Sequence, residues 1–366
     1  MKHVIVLGAG ASKADGAPLQ FDLLRDYFLA EKANLGSPRN IELQAFFQAF
    51  YGIDVTAVNA RTDFPTFEEV LGTLELALSR NENFRIASEP EPNVWDQRRI
   101  QRCREYVVTL ICIILATKLG ATPAKGGKYH RQLAQALPRS ASVSVLSFNY
   151  DLLIDNAIAF TGRTVDYGTT FANPISPLGP PIELLKLHGS LNWLRCPICG
   201  ALTNTGNEKG ASYPTELRAR CQTSDCNSET TPIVIPPTFF KIMSDFHLQQ
   251  IWHTAEKRLV AADRIYFCGY SLPDADMHVR YLLKRAEVNR RTAPEVFIAS
   301  NHAGKTNEDC DRERKRYQRQ FRDASKVVYT SWSFEDFAQN PLAIATRPRA
   351  DVEWRRTRKK HAAVTA

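Results

Sequence analysis

A chain of 366 residues, 44% of them apolar, has room for one large core and a smaller domain, and this composition excludes wholesale disorder. The formal charge of +8 is concentrated near one end: Arg347, Arg349, Arg355, Arg356, Arg358, Lys359 and Lys360 stand against Asp351 and Glu353, a surplus of +5. The body is therefore close to neutral. The tail, 345–366, reads first as a solvated end and second as a contact for nucleic acid or an acidic partner.

No apolar run reaches membrane-spanning length; the longest, Tyr106 to Ala116, reads as part of a buried helix. The opening residues enter a strand at once, which leaves no room for a signal peptide and predicts a cytoplasmic protein. Four of the eight cysteines are in knuckle spacing, while Cys103, Cys112 and Cys268 read as buried free thiols and Cys310 as an exposed one.

In chain order, Val4 to Leu7 is a continuous aliphatic run ending in Gly8-Ala9-Gly10-Ala11-Ser12, the pattern of a buried parallel strand turning toward a helix. From Phe21 to Leu119 the apolar residues recur at helical spacing with little strand character, and Thr66 with Glu69 resembles a capping box. Val143 to Phe148 is the next strand, delivering Asn149-Tyr150-Asp151, and Asp151 to Phe160 reads as a helix. Leu184 to Leu187 is a further strand, leading into a His188-Gly189 turn. Cys196, Cys199, Cys221 and Cys226 then have the spacing of a zinc ribbon whose tip is Thr203 to Gly210. A helix over Leu248 to Ala261, a strand over Arg264 to Cys268, a helix over Met277 to Glu287, and strands over Glu295 to Ala299 and Lys326 to Thr330 complete the pattern.

These units predict an α/β fold, a Rossmann-like doubly wound parallel sheet whose strand ends converge on one crevice, with a zinc-ribbon module and a long helical insertion. The sheet domain is assigned to 1–20, 140–190 and 230–340, the insertion to 21–139, and the ribbon to 191–229.

The glycine loop alone is a weak signal. It can bring backbone N–H groups to a pyrophosphate, but Lys13 stands where a dinucleotide fingerprint has its third glycine. In company with motifs farther along the chain it becomes specific. Gly8-Ala9-Gly10-Ala11-Ser12 followed by Gly16-Ala17-Pro18, then Asn149-Tyr150-Asp151, Lys186-Leu187-His188-Gly189, the four cysteines, Gly269-Tyr270-Ser271-Leu272 and Ser300-Asn301 resemble, in order, the motifs of the sirtuin superfamily.

The resemblance implies that Asn149, His188 and Asp151 carry the chemistry. It also implies that Gly8, Ala9, Gly10, Ser12, Pro18, Gly269, Ser271 and Asn301 hold NAD, and that Cys196, Cys199, Cys221 and Cys226 bind a structural zinc. Departures narrow it: deacetylases continue with Asp-Phe-Arg where this chain has Leu19-Gln20-Phe21, and the helical region is unusually long. The wording around Asn149 and Tyr270 is closer to the sirtuin-like proteins of bacterial anti-phage systems. That branch implies hydrolysis of NAD to nicotinamide and ADP-ribose.

Cleaving the nicotinamide–ribose bond develops positive charge on the sugar, so a site must orient it and position water. Asn149 suits a ribose hydroxyl and a water, His188 accepts a proton near neutral pH, and Asp151 suits the nicotinamide amide or the cationic sugar. Asp151 equally suits a helix cap, as Asp274 and Asp276 suit a turn and an N-cap, and Ser12 and Ser271 suit either ligand or turn. An NAD-dependent deacylase and a non-catalytic module sensing NAD or ADP-ribose remain the competing functions. A toxic NADase implies control by a homo-oligomer or by a separately encoded defence partner or sensor.

Overall fold

The computed structural model describes residues 1–87, 93–119, 126–138, 142–173, 179–205, 220–223, 225–234, 245–274 and 276–346. The basic tail from 347 onward and 206–210 of the expected ribbon tip lie outside the described residues.

The strands are β1 (His3–Leu7), β2 (Phe84–Ile86), β3 (Asn93–Trp95), β4 (Val143–Ser147), β5 (Val165–Asp166), β6 (Ile182–Lys186), β7 (Gly189–Arg195), β8 (Leu202–Asn204), β9 (Thr231–Val234), β10 (Arg264–Cys268), β11 (Glu295–Ala299) and β12 (Val327–Thr330). The helices of the first half are α1 (Ala9–Ala14), α2 (Gln20–Ala30), α3 (Pro38–Tyr51), α4 (Phe67–Arg80), α5 (Gln97–Leu119) and α6 (Lys128–Ala136). Those of the second half are α7 (Leu153–Phe160), α8 (Phe246–Ala261), α9 (Met277–Val288), α10 (Asn307–Gln320) and α11 (Phe334–Gln339).

Seven strands form one parallel sheet in the order β12-β11-β10-β1-β4-β6-β5. From β1 the chain adds β4, then the edge strand β5 and β6 between them, and returns to build outward on the other side through β10, β11 and β12, which is the Rossmann-like arrangement expected. Its crevice lies beyond the carboxyl ends of the strands beside β1. The register makes those ends level: Leu7 pairs with Ser147 and Cys268, Ser147 with Lys186, and Cys268 with Ala299. Gly8, Phe148, Leu187, Gly269 and Ser300 thus leave the sheet at one height. The continuous apolar runs follow from burial on both faces, as Ile5, Val145, Leu184 and Phe267 are all within 1% of full burial.

A second core is built by α2 to α5, where Phe28, Phe46, Phe47, Phe67, Trp95 and Ile111 interlock. The capping box forms as read: Thr66 Oγ1 accepts from the Glu69 amide, and the Glu69 carboxylate accepts from the Thr66 amide. The Tyr106–Ala116 run lies within α5. Among the described residues no helix is long and apolar enough to cross a membrane.

Several expectations need correction. The helical region contains a short hairpin, β2 with β3, which periodicity could not reveal in three-residue strands; its Trp95 is buried against Phe46 and Phe50. The Asp151–Phe160 helix starts at Leu153, whose amide donates to Asp151 Oδ1 at 3.0 Å. Short β5, the polar α6 and α10, and α11 carried no legible apolar period. Thr203 and Asn204 belong to β8 rather than to a loop tip, and Cys310 is half-buried rather than exposed. Cys103, Cys112 and Cys268 are buried free thiols as read.

Beneath the crevice, Lys186 Nζ donates to the Asp151 carbonyl at 2.6 Å and to Asp155 Oδ2 at 3.0 Å, with both side chains fully buried. Tyr167 Oη donates to the other Asp155 oxygen at 2.7 Å. Asp155→Ala strands an ammonium in the core and should cost about 3–5 kcal/mol. Urea unfolding of the variant against wild type measures that loss.

Candidate active site and cysteine cluster

A cavity of about 1230 Å³ opens where the level strand ends meet α4. One wall carries Ala9, Gly10, Asn149, His188, Gly269, Ser271 and Asn301; the facing wall carries Gln20 and Phe21 of α2 with Thr66, Glu68 and Glu75 from the α4 region. The expected binding residues therefore converge in part. Gly8, Ser12, Pro18 and Asp151 are not among the lining residues.

The glycines act chiefly through close packing of two loops. A Cβ on Gly269, at φ +64°, would stand 2.2 Å from the Ala11 nitrogen, and one on Gly8 would stand 2.6 Å from the Gly269 oxygen. The Gly10 N–H donates to that same oxygen at 2.8 Å, so it is committed to the neighbouring loop rather than held ready for a phosphate.

Ser12 is buried behind this turn. Its hydroxyl donates to Asp151 Oδ2 at 2.7 Å and accepts from Asn149 Nδ2 at 2.9 Å; the same Nδ2 donates to the Gly8 carbonyl at 2.9 Å. With its amide hydrogens so used, Asn149 presents Oδ1 to the cavity. Asp151 braces Ser12 from below and holds the start of α7.

His188 is 3% exposed, its ring lying 5.0 Å from that of Phe148 and 6.1 Å from that of Tyr150. Its Nε2 lies 3.6 Å from Asp276 Oδ2, within ion-pair range but beyond a direct hydrogen bond. Asp276, expected as an N-cap, makes no side-chain cap to α9; it is fully buried and accepts from Tyr270 Oη at 2.7 Å. Burial, then the Asp276 carboxylate, holds the Tyr270 phenol well above its ordinary range. Burial, then Glu68 and Asp276, does the same for Tyr150. Both phenols therefore stay protonated at neutral pH, and that of Tyr270 donates to the Asp276 carboxylate.

Sequence reasoning assigned Asp276 only as an N-cap and Tyr270 no role in the site, and it did not reveal the Gln20–Glu68 hydrogen bond that ties α2 to α4 along the facing wall. An acidic residue shortly after a strand end was the available signal for Asp276. Its burial beside a histidine from another strand was not visible.

Gly189 follows at φ +83°, where a Cβ would meet the Ile233 carbonyl at 2.1 Å. Glycine here lets the chain leave the parallel sheet and enter β7, central strand of a small antiparallel sheet in the order β8-β7-β9. Polar β7 residues are satisfied internally: Ser190 donates to Asn192 Oδ1 and Asn192 to Asn204 Oδ1. At the far end of β7, roughly 25 Å from His188 at strand rise, lies the cysteine cluster.

The Sγ atoms of Cys196, Cys199, Cys221 and Cys226 lie within 4.8 Å of one another. Cys196–Cys226 at 3.5 Å and Cys199–Cys221 at 3.6 Å are too long for disulfides and close to the roughly 3.8 Å between sulfurs of tetrahedral Zn–S geometry. Desolvation pushes the Cys196 thiol up, but hydrogen bonds from Ser228 and the Cys199 and Ile198 amides outweigh it and bring it down to about 6. At Cys199 the Ala201 amide lowers the thiol, yet desolvation and the three neighbouring sulfurs push it up to about 11. Four thiols this close cannot all ionise without a cation among them. The donor set fits a closed zinc site with no open position.

Residues 143–322 match the family model described as SIR2-like domain. The match covers the stretch that carries Asn149, His188, the four cysteines, Gly269 and Asn301, in keeping with the resemblance of those motifs. Similar solved structures include a Sir2 homologue–NAD complex, 14% identical, covering 92% of this chain and 86% of that one at a TM-score of 0.46. Another is a Sir2 enzyme structure, 16% identical over 95% and 94% of the chains at 0.41; a third is a Sir2–p53 peptide–NAD+ complex, 12% identical over 94% and 92% at 0.38. No curated protein matches the chain.

Proposed function

We propose that the chain hydrolyses NAD+ at the nicotinamide–ribose bond, releasing nicotinamide and ADP-ribose. The observation that carries this reading is the buried His188, backed by Asp276, on one cavity wall with Asn149. His188 accepts a proton from a ribose hydroxyl or from the attacking water, and the Asp276 carboxylate stabilises the imidazolium that results. Asn149 Oδ1 accepts from a ribose hydroxyl or that water, held in place by the Gly8 and Ser12 contacts. Asp151 acts through Ser12 as a positioning residue. Ala9, Gly10, Gly269, Ser271 and Asn301 border the path of the remaining nucleotide.

Hydrolysis is favoured over deacylation by the segment Leu19-Gln20-Phe21. It stands where deacetylases carry Asp-Phe-Arg, and its Gln20 is bonded to Glu68, so the helical region itself closes that side of the cavity. In this proposal 21–139 is the insertion that shapes the pocket and offers a surface for a homo-oligomer or a separately encoded sensor. Residues 191–229 are the zinc-holding support. In the same proposal the chain is a cytoplasmic effector of bacterial anti-phage defence, the role that the resemblance implies, and the toxicity of uncontrolled NAD loss is the reason for its control.

Incubation of the purified chain with NAD+, alone and with the products of neighbouring genes, should yield nicotinamide and ADP-ribose by chromatography. NAD+ that stays intact throughout sinks the reading. Acyl-lysine turnover dependent on His188 would move the assignment to a deacylase; binding without turnover, unchanged in His188→Ala, would move it to a sensing module.

A further inference from the structure

Outside the main cavity, a second pocket of about 320 Å³ lies where α9 and α10 meet the β10–α9 loop, lined by Asp274, Arg280, Arg316, Arg319 and Gln320. Three guanidinium groups share this concave space with one carboxylate, and Asp274 is itself 81% exposed, paired with Arg280 at 2.7 Å. The surplus of two positive charges gives this concave surface a positive potential that favours an anion.

The three arginines differ in what they already hold. Arg280 donates to the Leu272 and Pro273 carbonyls and Arg316 to that of Ser271, so both clasp the loop that ends at Asp276. Arg319 donates only from Nε to the Lys315 carbonyl at 3.3 Å; among the described residues its two terminal nitrogens have no protein partner. Its planar fork is thus left to bind an oxyanion, the geometry for which arginine is suited. The clasped loop also holds Leu272 at φ +52°, a left-handed conformation uncommon for a branched side chain.

We infer that this pocket binds a small phosphate-bearing anion, of the size of a diphosphate, gripped by Arg319 with Arg316 and Arg280 behind it. The anion competes with Asp274 for Arg280. Since Asp274 also lines the main cavity, the two sites share one loop.

Calorimetric titration of inorganic pyrophosphate into the full chain tests the assignment. Saturable binding is expected in wild type, at least about tenfold weaker in Arg319→Ala and unchanged in Lys13→Ala, which alters the main cavity instead. Arg319 is exposed at the surface of α10, so the variant should fold. Absence of saturable binding, or weakening by Lys13→Ala with none by Arg319→Ala, overturns the proposal. A single-stranded oligonucleotide that binds through Arg319 more tightly than pyrophosphate also overturns it, assigning the pocket to a polymer.

Discussion

Replacing His188 with alanine should lower NAD+ turnover by about 10²–10⁴-fold, the usual contribution of a general base, while the protein stays folded and its zinc stays bound. The ring packs against Phe148 and Tyr150 but makes no contact with the cysteine cluster at the other end of β7. The companion variant, Asp276→Asn, keeps an oxygen to accept from Tyr270 and removes only the charge facing Nε2. It should reduce turnover by roughly 10–100-fold, the size of a charge interaction near 4 Å at intermediate dielectric. A structural role alone for His188 would leave turnover per folded molecule unchanged. Rates normalised to folded protein, with melting temperatures measured alongside, separate the two.

Cys196→Ser should take bound zinc from one equivalent to none and destabilise the chain by about 3 kcal/mol or more, since metal binding at a closed thiolate site is coupled to folding. Among the described residues the segments that carry the four sulfurs are also joined by the Arg220–Glu229 bridge and by the pairing of β7 with β8 and β9. Metal analysis and thermal unfolding check both parts. A chelator should lower the melting temperature of wild type and leave Cys196→Ser unmoved. Zinc lost from His188→Ala as well would refute the separation of catalytic and supporting roles.

Much of this architecture could be read along the chain because it depends on neighbours in sequence. Buried parallel strands are continuous aliphatic runs, as in Val4 to Leu7, and Thr66 with Glu69 marks a helix start by reciprocal bonds three residues apart. Cysteine pairs report their own spacing, and the sulfurs do gather. The hairpin of β2 and β3 escaped because three residues are too few to display a period. The polar α10 escaped because its buried face is limited to Glu313, Tyr317 and Gln320.

By itself the sequence determined the order of strands and polar loops, the sirtuin-like motifs, and which residues could ionise, ligate or accept a proton. Only the tertiary structure decided their company. It withdrew Asp151 behind Ser12, committed the Gly10 N–H to Gly269, set Asp276 against His188, and brought Gln20 and Glu68 across from them. The reason is physical: each of those relations joins residues on different elements, brought within reach by a sheet whose strands end level and by a second core that packs α2 to α5 over them. Burial and facing distance belong to that packing, and no local pattern encodes them.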